Sequence, residues 1–248
     1  MPLLTTLAGD GGGVAMTDPH TLANRPFEVR SFDPAEMYKS VGPNVPVSAD
    51  SDPLAGWQDK GEAGSRSPLQ ATLGVKPLYR TNRSPNGKST VDFDGVDDRM
   101  TMAASIAASV FNSGVTIYFV GTPNQGTVIS SATTSSAFQL RFNSSNKAEI
   151  LKNAVASIGT ATNAASTTVP SVTTVTWDGT NYAFDHNGVA NGSGANAQTM
   201  TAVTDGLGHS IAGEFFNGDM YDVVIFSGVH NAATKAAVVA YLRDFWGI

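Results

Sequence analysis

Residues 211–248 read IAGEFFNGDMYDVVIFSGVHNAATKAAVVAYLRDFWGI and combine two periodicities. Residues 219–226 alternate and are rich in Val, Ile, Tyr and Phe, which is typical of a half-buried β-strand. After Gly228, apolar side chains recur three and four residues apart, which predicts an amphipathic helix. That apolar stripe consists of Val238, Val239, Leu242, Phe245 and Trp246. Asn231 can cap the helix N-terminus, and Gly247 can end the helix. A strand followed by such a helix needs a surface to pack on.

Short strand patterns separated by turn signals fill the chain from residue 89 onwards and supply that surface. The predicted strands are 89–93, 99–102, 115–121, 127–131, 138–143, 148–151, 172–177 and 182–185, with one short helix over 103–111. Asp178-Gly179 and Asn187-Gly188 are two-residue hairpin signals, so residues 172–192 predict a three-stranded meander. The pattern predicts an all-β, two-sheet antiparallel jelly-roll sandwich with a C-terminal helix.

The N-terminal part of the chain has a different character. Residues 1–26 contain three consecutive glycines and the X-Pro pairs Asp18-Pro19 and Arg25-Pro26, which predict a flexible arm. Residues 27–90 carry seven prolines and few strand patterns, so this part of the domain is expected to be rich in loops. The predicted organisation is an arm over 1–26 and a domain over 27–248.

Composition excludes several classes of protein. The net charge is −6 and no basic run appears, which argues against nucleic-acid binding. There is no cysteine, which excludes disulfides and Cys-based zinc sites. No apolar run reaches the roughly 18 residues of a membrane span, so no membrane partner is expected. The N-terminus lacks a basic region followed by a long apolar stretch, so it is a poor signal peptide.

Several short motifs follow one another in a recognisable order. They are Trp57-Gln58-Asp59-Lys60, Lys76-Pro77-Leu78-Tyr79, Asn86-Gly87-Lys88 and the segment VDFDGVDD at 91–98. With residues 115–121, 182–188, 218–226 and 238–248, they resemble concanavalin A-like (laminin-G-like) domains. Lys76 stands where that family usually has Arg, and Ser89-Thr90 replaces Pro-Ala. The resemblance covers about residues 50–248.

Versions with this closing helix are similar to domains carried by tailed-bacteriophage virion proteins. The resemblance implies a non-enzymatic virion protein, located on the phage particle surface as a head decoration, collar or tail component. Its partners would be other virion proteins, a second copy of the chain and a surface glycan. Attachment to a neighbouring subunit is assigned to the arm, because an extended segment can add a strand to an open sheet edge.

The distribution of carboxylates argues against a glycosidase. Such enzymes need two carboxylates roughly 5–9.5 Å apart, and on one strand this requires even spacing. The five glutamates are Glu28, Glu36, Glu62, Glu149 and Glu214, and no two lie near each other on a strand. No histidine has a partner at metal-ligand spacing. The chain is therefore predicted not to be an enzyme.

Two candidate sites remain. Asp94, Asp97 and Asp98 beside a glycine turn could supply oxygen ligands to calcium, although a turn at Asp94-Gly95 capped by the other two is the favoured interpretation; no other cofactor is predicted. Trp57 and Tyr182 are the candidates for stacking on sugar rings. They support the first alternative, a carbohydrate-binding adhesin that contacts the host surface. A glycoside hydrolase that depends on Glu214 is the least favoured alternative.

Overall fold

The computed structural model describes residues 15–40, 44–62 and 64–248 and is dominated by β-strands. The strands of the described part are β1 (Phe27–Arg30), β2 (Met37–Ser40), β3 (Val45–Pro46), β4 (Gly56–Trp57), β5 (Pro68–Leu69), β6 (Leu78–Arg80), β7 (Thr90–Asp94), β8 (Met100–Ile106), β9 (Val115–Pro123), β10 (Gly126–Ser130), β11 (Phe138–Phe142), β12 (Ala148–Lys152), β13 (Ala156–Thr160), β14 (Ser171–Trp177), β15 (Asn181–His186), β16 (Val189–Ala195), β17 (Thr204–Leu207) and β18 (Asn217–Ser227). Its α-helices are α1 (Ala108–Asn112) and α2 (Ala232–Trp246), and short 3-10 turns lie at Pro19–Thr21, Pro34–Glu36 and Leu73–Val75.

These strands form two antiparallel sheets. The first has the order β16-β15-β14-β9-β18-β7-β6, and β1 pairs with the part of β18 that β7 leaves free. The second has the order β13-β12-β11-β10-β17-β8-β5-β4-β2-β3. The predicted meander is present as β14, β15 and β16. The prediction of an all-β, two-sheet antiparallel sandwich with a C-terminal helix is confirmed.

The centre of the first sheet is covered on both faces, which explains why every residue of β9 is buried. Ile117 and Phe119 point towards the second sheet and join the main core. Tyr118 and Val120 point the other way and pack under α2. Because successive side chains of a strand alternate between faces, only a strand covered on both sides is expected to bury every side chain.

Helix α2 begins and ends as its sequence predicts. The Asn231 side chain accepts a hydrogen bond from the Thr234 amide (2.9 Å), and Gly247 adopts a left-handed φ of 72°. The predicted helix over 103–111 is shorter, because β8 continues to Ile106 and pairs there with Thr204. No α-helix in the described ranges is long and apolar enough to cross a membrane.

The described part of the predicted arm packs on the domain. Residues 1–14 lie outside the described residues, but the Thr17 amide donates to the Ala237 carbonyl of α2 (3.1 Å). The His20 side chain is only 4% exposed, and its ring lies between two carboxylates. Residues 15–26 are therefore held against the first sheet rather than extended from it.

His20 belongs to a buried charged cluster that the sequence analysis missed. Its Nδ1 lies 2.5 Å from Glu28 Oε1, and its Nε2 lies 3.3 Å from Asp222 Oδ2. Arg25 contacts the other oxygen of Glu28, and Arg30 Nε lies 3.1 Å from Glu28 Oε1. Burial alone would lower the pKa of His20, but the two carboxylates outweigh burial and raise the pKa to about 9. His20 is therefore positively charged at neutral pH.

Candidate functional site

Polar side chains collect on the outer face of the second sheet, on β11 and β12. Leu140 and Ile150 point into the core, so their neighbours on these strands point outward. Arg141 on β11 is directly opposite Glu149 on β12. Glu214 reaches the same place from the loop between β17 and β18. We call Arg141, Glu149 and Glu214 the arginine cluster.

The guanidinium of Arg141 joins the two carboxylates. Its Nε and Nη2 each lie 2.9 Å from Glu149 Oε2, and its Nη1 contacts Glu214 Oε1. Five N–H groups are available on a guanidinium, and these contacts use three of them. The two remaining N–H groups can bind ligand oxygens in the planar geometry that makes arginine a selective donor.

Neighbouring side chains fix the two carboxylates in place. Glu149 Oε1 accepts hydrogen bonds from Ser157 (2.8 Å) and Thr160 (3.4 Å) on β13. Glu214 Oε2 accepts one from Gln139 Nε2 (2.7 Å), which also donates to Thr127 Oγ1 (2.8 Å). Such second contacts hold a binding group in one geometry before a ligand arrives.

Two adjacent grooves meet at the arginine cluster. The larger, of about 430 Å³, is lined by residues that include Phe142, Asn143, Ser144 and Phe215. The smaller, of about 310 Å³, is lined by Gln139, Glu149, Leu151, Ala154, Val155, Ala156, Ser157 and Ala212. Arg141 and Glu214 line both grooves. The cluster therefore forms the wall between them.

The acidic turn lies at the rim of the larger groove, which Gly95 lines. Carboxylate oxygens of Asp94, Asp97 and Asp98 lie within 4.8 Å of one another. Asp94 Oδ1 accepts hydrogen bonds from the amides of Val96 (2.8 Å), Asp97 (3.2 Å) and Asp98 (3.4 Å). These contacts are those of a capped turn. Calcium binding by the three aspartates stays a prediction, which a calcium-dependent rise in thermal midpoint would support.

Replacing Asp98 with asparagine is expected to raise stability at pH 7 by up to about 3 kcal/mol. Burial, followed by the charges of Asp94 and Asp97, raises the pKa of Asp98 from 3.8 to about 6. The folded protein therefore binds an extra proton between those pH values, and its free energy of unfolding falls as pH rises through that window. Asparagine carries no charge at any pH and can still accept from the Asp94 amide.

Urea unfolding of Asp98→Asn and the parent protein between pH 4 and pH 7 measures this difference. The difference in free energy of unfolding between the variant and the parent protein should grow as pH rises. A constant difference across the range would contradict the prediction. Asp97→Asn removes one of the charges that raise the pKa of Asp98, so its stability difference from the parent protein should grow over the same pH range but stay smaller.

Neither predicted sugar-stacking residue lines the grooves. Trp57 is fully buried, and its indole N–H donates to the Arg30 carbonyl (2.9 Å), so it has no ring face to offer a sugar. Tyr182 is half-buried and packs against the core and against Gly159 and Gly194. Its ring joins the adjoining edges of the two sheets, which is a structural role.

The sequence analysis found no pair of glutamates because it looked for them on one strand. Glu149 lies on β12, and Glu214 lies 65 positions later in a loop that folds back over β11. One signal was available: Arg141 in the segment 138–142 and Glu149 in the segment 148–152 each lie between two apolar residues. Charged residues that lie opposite each other on the two strands of a hairpin, and point away from the core, indicate a polar surface on that face of the sheet.

Comparisons with known proteins bear on fold and class. No protein-family model and no curated protein matches the chain. The structure is similar to a Trypanosoma rangeli sialidase, with a TM-score of 0.57, 13% identity, 98% of this chain covered and 36% of the sialidase. It is also similar to a GH54 α-L-arabinofuranosidase, with a TM-score of 0.56, 13% identity and coverage of 77% of this chain and 50% of the enzyme.

A third similar structure is domain 4 of AbnA, a GH43 extracellular arabinanase from Geobacillus stearothermophilus, in complex with arabinotriose. The TM-score is 0.51 and the identity 12%, over 65% of this chain and 81% of that domain. The chain thus spans 36% of the sialidase and 50% of the arabinofuranosidase. At these identities the likeness shows the fold, a β-sandwich.

These neighbours correct two predictions. They are glycoside hydrolases, or a domain of one, and not phage proteins. They overturn the prediction of a non-enzymatic phage structural protein, and with it the prediction that the chain is not an enzyme. The error arose because short motifs of a widespread sandwich fold were used to assign a role, although one fold serves many functions.

Proposed function

We propose that this chain is a carbohydrate-binding β-sandwich of a glycoside hydrolase, and that sugars bind at the arginine cluster. The observation that carries the proposal is the guanidinium of Arg141, held between Glu149 and Glu214 on the wall of two open grooves. Sugar hydroxyls both donate and accept hydrogen bonds. A guanidinium with free N–H groups beside fixed carboxylate oxygens offers both kinds of partner at once.

The fold supports the same proposal. The similar domain of the arabinanase was solved with arabinotriose bound. We further propose that the sandwich is of the concanavalin A-like type, on the motifs at 57–60, 76–79, 86–88 and 91–98. The binding surface lies on the outer face of the second sheet, because α2 covers the outer face of the first.

Replacing Arg141 with alanine is expected to weaken oligosaccharide binding roughly tenfold or more, or about 1.4 kcal/mol. The change removes the donors and leaves two carboxylates that repel each other. Calorimetric titration with arabinotriose measures the loss. Arg141→Lys should also bind weakly, because an ammonium group cannot bridge both carboxylates as a planar fork does.

Arg80→Ala is the matched control. Arg80 also pairs with a carboxylate, 3.0 Å from Asp92, and its side chain is 23% exposed against 24% for Arg141. It lies outside both grooves. Thermal midpoints verify that each variant is folded. Unchanged sugar affinity in a folded Arg141→Ala variant would contradict the proposed site.

Glycoside hydrolysis by the arginine cluster itself is the second candidate. The observation in its favour is a pair of carboxylates separated by one guanidinium on a groove wall, since paired carboxylates perform this chemistry. The guanidinium would have to move aside to admit a glycosidic bond between them. Release of nitrophenol from aryl glycosides, abolished separately by Glu149→Gln and Glu214→Gln, would establish hydrolysis. Sugar binding without turnover would contradict hydrolysis at the cluster and support the binding proposal.

A further inference from the structure

The wall between the grooves sets a minimum length for a ligand that uses both. Among the residues that line the two grooves, Arg141 and Glu214 are common to both. A single sugar placed on either side of this wall contacts one groove. A ligand that fills both must pass over the guanidinium and place at least one sugar on each side.

Each groove offers apolar surface next to the polar wall. Phe215 in the larger groove is half-buried, and Arg99 lies 6.0 Å above its ring centre. The smaller groove presents Leu151 and Val155, and Val155 is 58% exposed. Sugars combine hydroxyl edges with C–H faces. Each groove therefore provides an apolar contact, and the shared wall provides the hydrogen-bonding groups.

The charges of the grooves disfavour an acidic ligand. Arg141 is the cation among the lining residues, and both of its neighbours there, Glu149 and Glu214, are carboxylates. The cluster therefore carries one net negative charge. Gly95, at the rim of the larger groove, belongs to the turn that carries Asp94, Asp97 and Asp98. These five carboxylates outnumber the two nearby cations, Arg141 and the Arg99 that lies over Phe215, so a uronic or sialic acid would meet net repulsion.

We propose that the ligand is a neutral oligosaccharide of at least two sugars that crosses the wall formed by Arg141 and Glu214. One sugar occupies each groove, and the free N–H groups of Arg141 bind hydroxyls near the linkage between them. This inference rests on the proposed function, because it names the class of carbohydrate for the same site.

The test blocks one groove at a time. Ser144→Trp fills the larger groove from an exposed position, and Ala156→Trp fills the smaller one. Val189→Trp is the matched control, because Val189 is 70% exposed and lines neither groove. An array of neutral and acidic glycans is screened first. Arabinose, arabinotriose and trigalacturonate are then titrated against the parent protein and the three variants.

We expect arabinotriose to bind at least tenfold more tightly than arabinose and than trigalacturonate. Each groove-blocking variant should lose at least tenfold in affinity for arabinotriose, and the control should lose none. Equal binding of arabinose and arabinotriose, or full binding by one blocked variant, would overturn the two-groove arrangement. Binding of acidic glycans alone would overturn the charge argument and leave the proposed function standing. If no glycan on the array binds, the proposed function fails, and this inference fails with it.

Discussion

Replacing His20 with leucine is expected to lower the free energy of unfolding at pH 7 by about 3 kcal/mol. The change leaves Asp222, which is fully buried, facing Glu28 without the cation between them. Breaking a buried ion pair from one side costs about 3–5 kcal/mol. The lower end applies here, because Glu28 keeps its contacts with Arg25 and Arg30.

Urea unfolding at pH 7 measures this loss, and a second substitution tests its cause. In His20→Leu/Asp222→Leu, the unpaired carboxylate is removed as well, so most of the stability should return. His186→Leu is the matched control, because His186 is half-buried and burial lowers its pKa rather than raising it. A double variant no more stable than His20→Leu would show that the ion pair is not the cause.

The same histidine predicts how stability depends on pH. Its pKa is about 9 in the folded protein, against 6.5 for an ordinary histidine. Between these values the folded state holds a proton that the unfolded state releases, so the stability is fully present below pH 6.5 and is lost as pH rises to 9. The loss should be roughly 3 kcal/mol. His20→Leu should lack this decline.

Replacing Gly126 with alanine is expected to cost roughly 2–4 kcal/mol of stability and to weaken sugar binding. Gly126 has a φ of 90°, which disfavours any side chain. An added Cβ would also collide with the backbone of Phe215 and Phe216. That backbone carries Glu214, so relieving the collision moves one carboxylate of the arginine cluster. Stability and sugar affinity should therefore fall together.

Gly213→Ala is the matched control for this prediction. Gly213 lines the same groove and has a φ of 74°, but an added Cβ would meet nothing within 4 Å. It should cost only the backbone strain of about 1–2 kcal/mol. Urea unfolding and arabinotriose titration compare the two variants. If Gly126→Ala and Gly213→Ala behave alike in both measurements, the close contact between Gly126 and the backbone of Phe215 does not hold Glu214 in place, and the prediction is wrong.

The strands that supply the site were predictable from local pattern. β11 alternates between apolar and polar residues, and in β12 Glu149 lies between Ala148 and Ile150, so the local pattern indicates which of these side chains face outward. The meander and helix α2 were predictable for the same reason, since turn pairs and caps are properties of neighbouring residues. The sugar-stacking role given to Trp57 depended on its exposure, which local pattern does not encode. Trp57 is buried because its side chain packs into the main core.

The sandwich with its closing helix follows from local sequence, because periodicity, hairpin signals and caps act over a few residues. The two charged clusters, in contrast, form only when the chain has folded. Arg141 meets Glu214, and His20 meets Asp222, across 73 and 202 positions of the chain. Such meetings depend on how the sheets and loops pack. Local sequence does not show whether a charged side chain will stay on the surface or be buried. It is buried only where the fold brings a partner of opposite charge to it.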